Sequence, residues 1–218
     1  METITGTPNE LQRTPEWMAQ RLGRFSCSQF SRLMTEPRKK EDKEKGNLSD
    51  GAITYVYECV AERLTGTKAK EDFTSKFTDW GIQNEPIAVA IYDEVKGCKS
   101  TDSDYIEYGE NSGGSPDRLV GDEGILEIKC PFTITSHLEH KLEDLRDKPE
   151  YFWQCMGYLL ITGRRWIDFV SYHPLYPGKL QFILKRLNAS DYEPELKLLK
   201  SKLDKSTEIF NLITNSLI

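Results

Sequence analysis

The stretch S-P-D-R-L-V-G-D-E-G-I-L-E-I-K-C-P-F, residues 115–132, decides the predicted fold. Apolar runs stand on both sides of the turn at residues 121–124. They predict an antiparallel hairpin with strands at residues 115–120 and 125–130. Helical patterns lie before and after this hairpin, and two further strands follow it. This order predicts a mixed α/β domain with a central mixed sheet flanked by helices.

The predicted hairpin brings charged side chains together. Because successive side chains of a strand point to opposite faces, Glu127 and Lys129 share one face. Pairing across the hairpin sets Asp117 beside them. The alternate positions, expected to face the core, are Leu126, Ile128 and Cys130.

Two carboxylates and an amine on one face suit phosphodiester hydrolysis. Close carboxylates repel each other, which raises the pKa of one of them unless a cation lies between them. Oxygen ligands favour Mg²⁺ or Mn²⁺, and a pair of ions serves both the nucleophile and the leaving oxygen. Next to such an ion the pKa of Lys129 is expected to fall, so that its amine positions or deprotonates the attacking water. Taken alone, the pattern also fits a surface hairpin with a solvated Glu–Lys pair.

The remaining sequence predicts a single domain over residues 1–218. An N-terminal arm covers residues 1–14, and residues 36–50 read as a charged, mobile loop. Pro86 is expected to kink or restart its helix, with Asn84 as a cap. Further strands are predicted at residues 105–108, 166–173 and 180–187. Helices are predicted at residues 15–22, around Phe30 and Leu33, and at 52–64, 80–95, 136–146, 150–161 and 192–217, the last within a C-terminal segment 190–218.

Composition narrows the class of protein. The 218 residues include 29 Lys+Arg and 35 Asp+Glu, a net charge of −6, and the pI of about 5.3 argues against a basic DNA-coating protein. The first residues have no apolar core and no run approaches a membrane span, so we expect neither a signal peptide nor a membrane partner. Five dispersed cysteines predict reduced thiols rather than a zinc site, an iron–sulfur cluster or a disulfide framework.

Several ordered motifs resemble the phage lambda exonuclease family, alkaline exonucleases of viral recombinase type within the PD-(D/E)xK nuclease superfamily. E-I-K-C-P-F-T at residues 127–133 follows S-P-D at the family's distance. Upstream stand Trp17, R-L-G at residues 21–23 with a small-residue cluster ending in Ser28, and W-G-x-x-x-E at residues 80–85. Downstream, Gln154 and Tyr158 fit the family's helix motif, and residues 172–174 also match. The resemblance spans residues 17–174 and implies a restriction-endonuclease-like core.

The resemblance also implies roles for individual residues. Asp117, Glu127 and the backbone carbonyl of Ile128 would bind the metal ions, two Mg²⁺ per site with Mn²⁺ as a substitute. Lys129 would act on the water. Additional catalytic roles fall to Glu85, whose placement depends on Pro86, and to Gln154, supported by Tyr158.

A pocket for the 5′-phosphate of the DNA strand would use Arg21, Ser28 and Ser115. An arginine suits a terminal phosphate because its planar fork donates two hydrogen bonds. The family has an arginine where this chain has Thr135, which supplies no charge. Either Arg24 or Arg118 could replace that missing cation.

The resemblance implies a Mg²⁺-dependent exonuclease that digests one strand of linear double-stranded DNA from a phosphorylated 5′ end. Its products would be mononucleotides and 3′ single-stranded overhangs. A homotrimeric ring, a single-strand annealing partner and the bacterial host cytoplasm are implied with it. The alternatives are an endonuclease or repair nuclease of the same superfamily, and a non-catalytic module that binds DNA ends.

Other residues have weaker claims to function. His137 and His140 stand three residues apart, but without a third ligand nearby a solvated helix is the better interpretation. Trp80 and Trp153 lie on periodic helices and are expected in the core rather than stacked on bases.

Overall fold

The computed structural model describes residues 11–70 and 76–218. Within these residues the chain forms eight α-helices and eight β-strands. The helices are α1 (Pro15–Arg21), α2 (Phe30–Leu33), α3 (Lys40–Glu44), α4 (Asp50–Thr65), α5 (Lys76–Lys96), α6 (Ile134–Leu142), α7 (Pro149–Thr162) and α8 (Glu193–Leu217). The strands are β1 (Phe25–Ser26), β2 (Thr101–Asp102), β3 (Ile106–Tyr108), β4 (Ser112–Gly114), β5 (Arg118–Val120), β6 (Gly124–Lys129), β7 (Trp166–Tyr172) and β8 (Phe182–Asn188).

A five-stranded mixed sheet forms the centre of the molecule, in the order β2-β5-β6-β7-β8. Strands β6 and β7 are parallel, and the other neighbours are antiparallel. Ile125 and Leu126 on β6 are both fully buried although they face opposite ways, because helices cover both faces of the sheet. The predicted mixed sheet flanked by helices is confirmed.

Helices pack on the two faces of the sheet in separate clusters. The larger apolar cluster joins α2, α4, α7 and α8 to the face that carries Ile125 and Phe169. The smaller cluster packs α5, through Ala88 and Tyr92, against the face that carries Leu126. Fully burying one such large side chain contributes roughly 1.5–3 kcal/mol to folding, so these two clusters account for most of the driving force.

The predicted strand at residues 115–120 is only half correct. Residues 112–114 form β4 in a second, three-stranded sheet of order β1-β4-β3, and residues 118–120 form β5 in the main sheet. Ser115, Pro116 and Asp117 cross from one sheet to the other. Pro116 has no N–H to donate to a ladder, which accounts for the break. Two short strands, β1 and β2, were also absent from the sequence prediction.

Two helix predictions also need correction. Helix α5 continues through Pro86 without a restart, and Asn84 is no cap, because its side-chain amide donates to the carbonyl of Trp80 within the helix. The segment 36–50 is not wholly loop, because residues 40–44 form α3 and Asp50 already begins α4. Charged residues at i and i+4, such as the pair Lys45 and Glu41, support that short helix.

The prediction of a solvated α6 histidine pair is wrong. His137 and His140 are 0% and 4% exposed, and both rings hydrogen-bond the Ser171 hydroxyl on β7. His137 also bonds the carbonyl of Leu180. Desolvation lowers the pKa of His140 to about 4, so these residues are neutral parts of the core.

Candidate active site

The carboxylates predicted to act together lie together at the end of β6. The backbone N–H of Ile128 donates to Asp117 Oδ2 at 2.6 Å, which fixes Asp117 across from Glu127. Lys129 Nζ lies 2.6 Å from Glu127 Oε1. Strand alternation predicts that Glu127 and Lys129 share a face, and their ion pair agrees with it. We call Asp117, Glu127, Glu85 and Lys129 the acid cluster.

Burial and mutual repulsion raise the pKa values of the carboxyl groups. For Asp117 desolvation is the main cause and the charge of Glu127 the next. Desolvation also raises the pKa of Glu127. Glu85 reaches this group from α5, where burial followed by the charge of Asp117 raises its pKa to about 7. The three carboxyl groups resist ionising together because too little positive charge lies among them to offset three negative charges.

Lys129 is held in place from two sides. Its ammonium pairs with Glu127 and lies 5.3 Å from the ring centre of Tyr151 on α7, within cation–π range. Burial opposes its charge, but the Glu127 and Asp117 carboxylates outweigh burial and raise the pKa of Lys129. Beside these carboxylates the Lys129 amine keeps its proton and can act as a hydrogen-bond donor. The predicted lowering of its pKa requires the added charge of a cation.

The donor set fits a magnesium ion. Glu127 Oε2 is buried and has no hydrogen-bond partner among the described residues, so a ligand position points into the acid cluster. The N–H and C=O of one strand residue lie on the same side, so the Ile128 carbonyl faces the side where Asp117 lies. In the described chain no three His, Cys, Asp or Glu side chains form a ready-made ion cage. Mg²⁺ keeps several waters and needs only one or two carboxylates, so this set suffices.

Gln154 and Tyr158 connect α7 to the segment that carries Asp117. The Gln154 amide donates to the Tyr158 hydroxyl at 2.9 Å, and that hydroxyl donates to the carbonyl of Ser115 at 3.0 Å. All three residues are buried. Gln154 therefore acts on the geometry of the acid cluster through Tyr158 and the sheet-to-sheet crossing.

A basic cleft lies near the acid cluster, and two of the residues predicted to hold a phosphate, Arg21 and Ser28, line it, whereas the buried Ser115 does not. Arg21 Nη2 lies 3.4 Å from Ser28 Oγ, and its guanidinium stacks 4.2 Å from the ring centre of Trp17. Trp17 Nε1 donates to Ser115 Oγ at 2.8 Å. The stack and the hydrogen bond tie Arg21 to Ser115, two residues before Asp117. The cleft measures about 270 Å³, and Arg21, Ser26 and Ser28 line it.

Arg21 differs from the two other arginines that line the cleft, Arg24 and Arg32. Arg32 binds Glu58 through two hydrogen bonds of 2.6 and 2.9 Å, and Arg24 pairs with Glu107. In the described ranges Arg21 makes no ion pair with a carboxylate, so its fork is available to an anion. Two residues after Arg21, the backbone of Gly23 packs closely against the backbone of Arg63, which requires glycine. Gly23 has φ +66°, and a Cβ there would lie 2.7 Å from the Arg63 backbone nitrogen.

Two proposed replacements for the missing family arginine have different outcomes. Arg24 lines the cleft, but its pairing with Glu107 compensates its charge. Arg118 does not line the cleft and instead forms an ion pair with Asp102 on β2. Thr135 is exposed in the first turn of α6 and is not part of the cleft lining either.

Three residues near the acid cluster are missing from the sequence prediction. Tyr151 lies three residues before Gln154 on α7, a helical spacing that could have indicated a shared face. Gln12 and Arg13 carry no local pattern. Gln12 donates to the carbonyl of Pro116 at 2.9 Å, and Arg13 pairs with Glu85 at 3.3 Å across 72 positions of sequence.

The fold and the acid cluster define the class of the molecule, a nuclease fold of the alkaline exonuclease type. The structure superposes on an alkaline exonuclease (LHK-Exo) from Laribacter hongkongensis with a TM-score of 0.73 and 30% identity, covering 94% of this chain and 98% of that one. The same exonuclease in complex with dAMP gives identical values. A phage-related exonuclease from Haemophilus somnus 129PT matches with a TM-score of 0.71 and 22% identity, covering 89% of this chain and 96% of that one, which shows the shared fold.

Residues 16–165 match the YqaJ-like viral recombinase domain. The chain therefore belongs to the YqaJ-like viral recombinase family, in agreement with the resemblance drawn from its motifs. Comparison with curated protein sequences gave no significant match. In the part of the chain that the structure describes, no helix is both long and apolar enough to cross a membrane.

Proposed function

We propose that the protein is a Mg²⁺-dependent exonuclease acting on linear double-stranded DNA. It digests one strand from a phosphorylated 5′ end, releases mononucleotides and leaves 3′ single-stranded overhangs for recombination by strand annealing. One observation carries the proposal. Arg21 has no carboxylate partner among the described residues, and it is linked toward the acid cluster by its stack on Trp17 and by the hydrogen bond from Trp17 to Ser115. A site of this kind combines a pocket for the terminal phosphate with a neighbouring hydrolytic centre.

The chain's own residues have distinct tasks in this reaction. Arg21 and Ser28 hold the terminal phosphate, and the bidentate guanidinium fixes its orientation. Asp117 and Glu127 would hold the cation, which would supply Lewis-acid polarisation of a phosphoryl oxygen and a lowered pKa of a bound water. Lys129, proton-bearing and fixed by Glu127 and Tyr151, orients the attacking water by hydrogen bonding.

Further support comes from a relative. The Laribacter hongkongensis alkaline exonuclease has a structure in complex with dAMP. dAMP is a nucleoside monophosphate, the kind of product that the proposed reaction releases.

The proposed assembly follows from the family resemblance and from charge. A net charge of −6 opposes binding to a polyanion, so enclosure of the duplex by a homotrimeric ring would retain it where charge does not. The proposed partner is a single-strand annealing protein that binds the 3′ overhang, and the proposed location is the host cytoplasm. Sedimentation of the protein with and without duplex tests the ring, because a monomer at working concentration contradicts it.

Nucleotide release from defined DNA ends tests the proposed reaction. Linear duplexes with 5′-phosphate or 5′-hydroxyl ends are incubated with and without Mg²⁺, beside a covalently closed circle. We expect mononucleotides from the phosphorylated linear duplex, only with Mg²⁺, and an intact circle. Cutting of the circle identifies an endonuclease, and DNA binding without release under any condition identifies an end-binding module.

A pair of lysine variants ties that activity to the acid cluster. Lys129→Ala is expected to stop release while DNA binding persists, because the cleft residues are unchanged. Lys200→Ala removes an exposed lysine that pairs with Asp204 on α8, and it should digest DNA like the parent protein. Normal digestion by Lys129→Ala would contradict the assigned role.

A further inference from the structure

Arg13 reaches the acid cluster from outside the hairpin of β5 and β6, and it has no role in the proposed reaction. Its guanidinium donates to Glu85 Oε2 at 3.3 Å, while 47% of its side chain remains exposed. It is also close enough to Asp117 to favour the charged form of that carboxyl. A cation that is half exposed and beside the hydrolytic centre can contact a substrate.

The backbone is arranged to aim this side chain. Arg13 has φ +68° and is the one residue other than glycine with positive φ in the described chain. Such a conformation costs free energy and persists where the surroundings fix it, often at functional sites. A half-exposed ion pair contributes little to stability, so the pair with Glu85 does not explain the cost.

The neighbours of Arg13 anchor it on both sides. The Gln12 amide donates to the carbonyls of Ser103 and Pro116, and Pro116 immediately precedes Asp117. On the other side, the Thr14 hydroxyl accepts from the Trp17 N–H and caps α1. The segment 12–14 is thus fastened to the acid cluster at one end and to the helix that carries Arg21 at the other.

Residues 12–21 therefore position two guanidinium groups, those of Arg13 and Arg21, at different parts of the site. Arg21 lies in the basic cleft, with Trp17 and Ser115 between it and the acid cluster. Arg13 lies at the acid cluster itself. A DNA strand whose terminal phosphate sits at Arg21 carries its next phosphate toward the acid cluster, since each nucleotide adds one phosphate to the strand.

We propose that Arg13 is a catalytic residue that binds the scissile phosphate, the first internucleotide phosphate of the strand. Its pair with Glu85 is the contact made without DNA, and in the complex the guanidinium turns to a non-bridging phosphate oxygen. There it neutralises charge that develops as the bond from phosphorus to the leaving 3′ oxygen breaks and a bond from phosphorus to the water oxygen forms. In net, the water gives up one proton and the leaving oxygen takes one up. This inference rests on the proposed nuclease function.

Binding to modified DNA ends tests the contact without relying on turnover. Three duplexes that carry a fluorophore on an internal base are compared by fluorescence anisotropy in Ca²⁺, with gels to verify that they stay intact. The first duplex is unmodified with a 5′-phosphate, the second has a 5′-hydroxyl, and the third has a 5′-phosphate and a neutral methylphosphonate at the first linkage. For the parent protein we expect each modification to weaken binding roughly 10- to 100-fold, as for loss of a charge-assisted hydrogen bond.

Two arginine variants should give opposite patterns. Arg13→Gln should bind the unmodified duplex about 10-fold more weakly, lose most of the methylphosphonate penalty and keep the 5′-hydroxyl penalty. Arg21→Gln should lose the 5′-hydroxyl penalty and keep the methylphosphonate penalty. Arg165→Gln, which breaks an exposed pair with Glu123, should keep both penalties.

Other results would overturn the inference. If Arg13→Gln keeps the full methylphosphonate penalty, or binds the unmodified duplex like the parent, Arg13 does not contact that phosphate. If it loses the 5′-hydroxyl penalty instead, it belongs to the terminal pocket. Unchanged melting temperature in Arg13→Gln shows that the variant is folded, and Arg13→Lys should restore part of the affinity because the charge remains. Failure of the proposed function looks different, since the parent protein would then release no mononucleotides from the 5′-phosphorylated duplex in Mg²⁺, whatever the binding pattern of the variants.

Discussion

Asp168 and Glu127 are buried carboxylates on neighbouring strands with opposite surroundings. Asp168, 0% exposed on β7, accepts two hydrogen bonds of 2.7 Å from Arg186 and one of 2.8 Å from Tyr92, with Lys96 at 3.6 Å. Glu127, 1% exposed on β6, has Lys129 on one oxygen, while its other oxygen is without a partner among the described residues. The charge of Asp168 is offset by cationic side chains of the protein, whereas Glu127 leaves a position for a cation that the protein does not supply.

The difference separates a structural acid from a functional one. Burying a charge is tolerated when every lone pair is satisfied, as at Asp168. Of the other two acids of the acid cluster, Glu85 adds repulsion to Glu127, and Asp117, itself harder to ionise beside Glu127, supplies no positive charge. An isolated fold gains nothing from such a cluster, so its arrangement makes sense only with a ligand.

The largest expected effect is the loss of activity when the unsatisfied acid is neutralised. Glu127→Gln keeps the shape of the side chain but removes a charged ligand, and we expect DNA digestion to fall roughly 10³-fold or more, since a catalytic cation contributes several kcal/mol to lowering the barrier. Asp168→Asn should digest within a few-fold of the parent protein when both are folded. Release of mononucleotides from a 5′-phosphorylated duplex measures both. Comparable losses in the two variants would remove the distinction between the two acids.

Stability should respond in the reverse order. Asp168→Asn leaves the Arg186 and Lys96 charges without their acid, and we expect the free energy of unfolding to fall by about 3–5 kcal/mol, as for breaking other buried pairs. Glu127→Gln relieves repulsion and should stay within about 1 kcal/mol of the parent or exceed it. Urea unfolding without divalent cations measures both values. A Glu127→Gln protein as unstable as Asp168→Asn would show that Glu127 is structural.

The same contrast shows what the sequence could reveal. Glu127, Lys129 and Asp117 follow from strand alternation and hairpin pairing, which are local rules. Their meeting was predictable, although Asp117 lies in a crossing between two sheets rather than on a strand.

Contacts made over long stretches of sequence were not predictable. The burial of His137 depends on Ser171 and Leu180, which are 34 and 43 positions away. The pair of Arg13 with Glu85 spans 72 positions, and nothing in either segment marks it. Local patterns carry backbone periodicity, whereas such partners are set by packing.

Magnesium should stabilise the protein more as pH rises. The pKa of Glu85 is about 7 in the folded protein, above its ordinary value of 4.5, because of burial and Asp117. Between these values the folded state binds more protons than the unfolded state, so metal-free stability falls as pH rises through this window. Mg²⁺ needs ionised carboxylates, so its stabilising effect should be small near pH 5.5. At pH 8 it should reach roughly 5–10 °C in melting temperature at about 100 times Kd.

Variants of Glu85 and Asp168 sharpen this measurement. Glu85→Gln should weaken the pH dependence of the Mg²⁺ effect, because one of the carboxyl groups whose raised pKa lies in this pH range is gone, while Asp117 still titrates there. Asp168→Asn should melt lower but keep the full pH-dependent response. A Mg²⁺ effect that is equal at both pH values would disprove the link between the raised carboxyl pKa values and cation binding.

The smallest effect concerns the geometry of the satisfied acid. Arg186 holds Asp168 through two parallel hydrogen bonds and lies 3.7 Å from the ring centre of Trp166. Arg186→Lys keeps the charge but loses one of the two bonds and the planar stack, so we expect about 1 kcal/mol of lost stability by urea unfolding and unchanged digestion of DNA. A loss as large as that of Asp168→Asn would mean that the fork, rather than the charge, satisfies the buried acid. Reduced digestion at unchanged stability would mean that Asp168 is coupled to the acid cluster across β6 and β7, and that the two carboxylates are not independent.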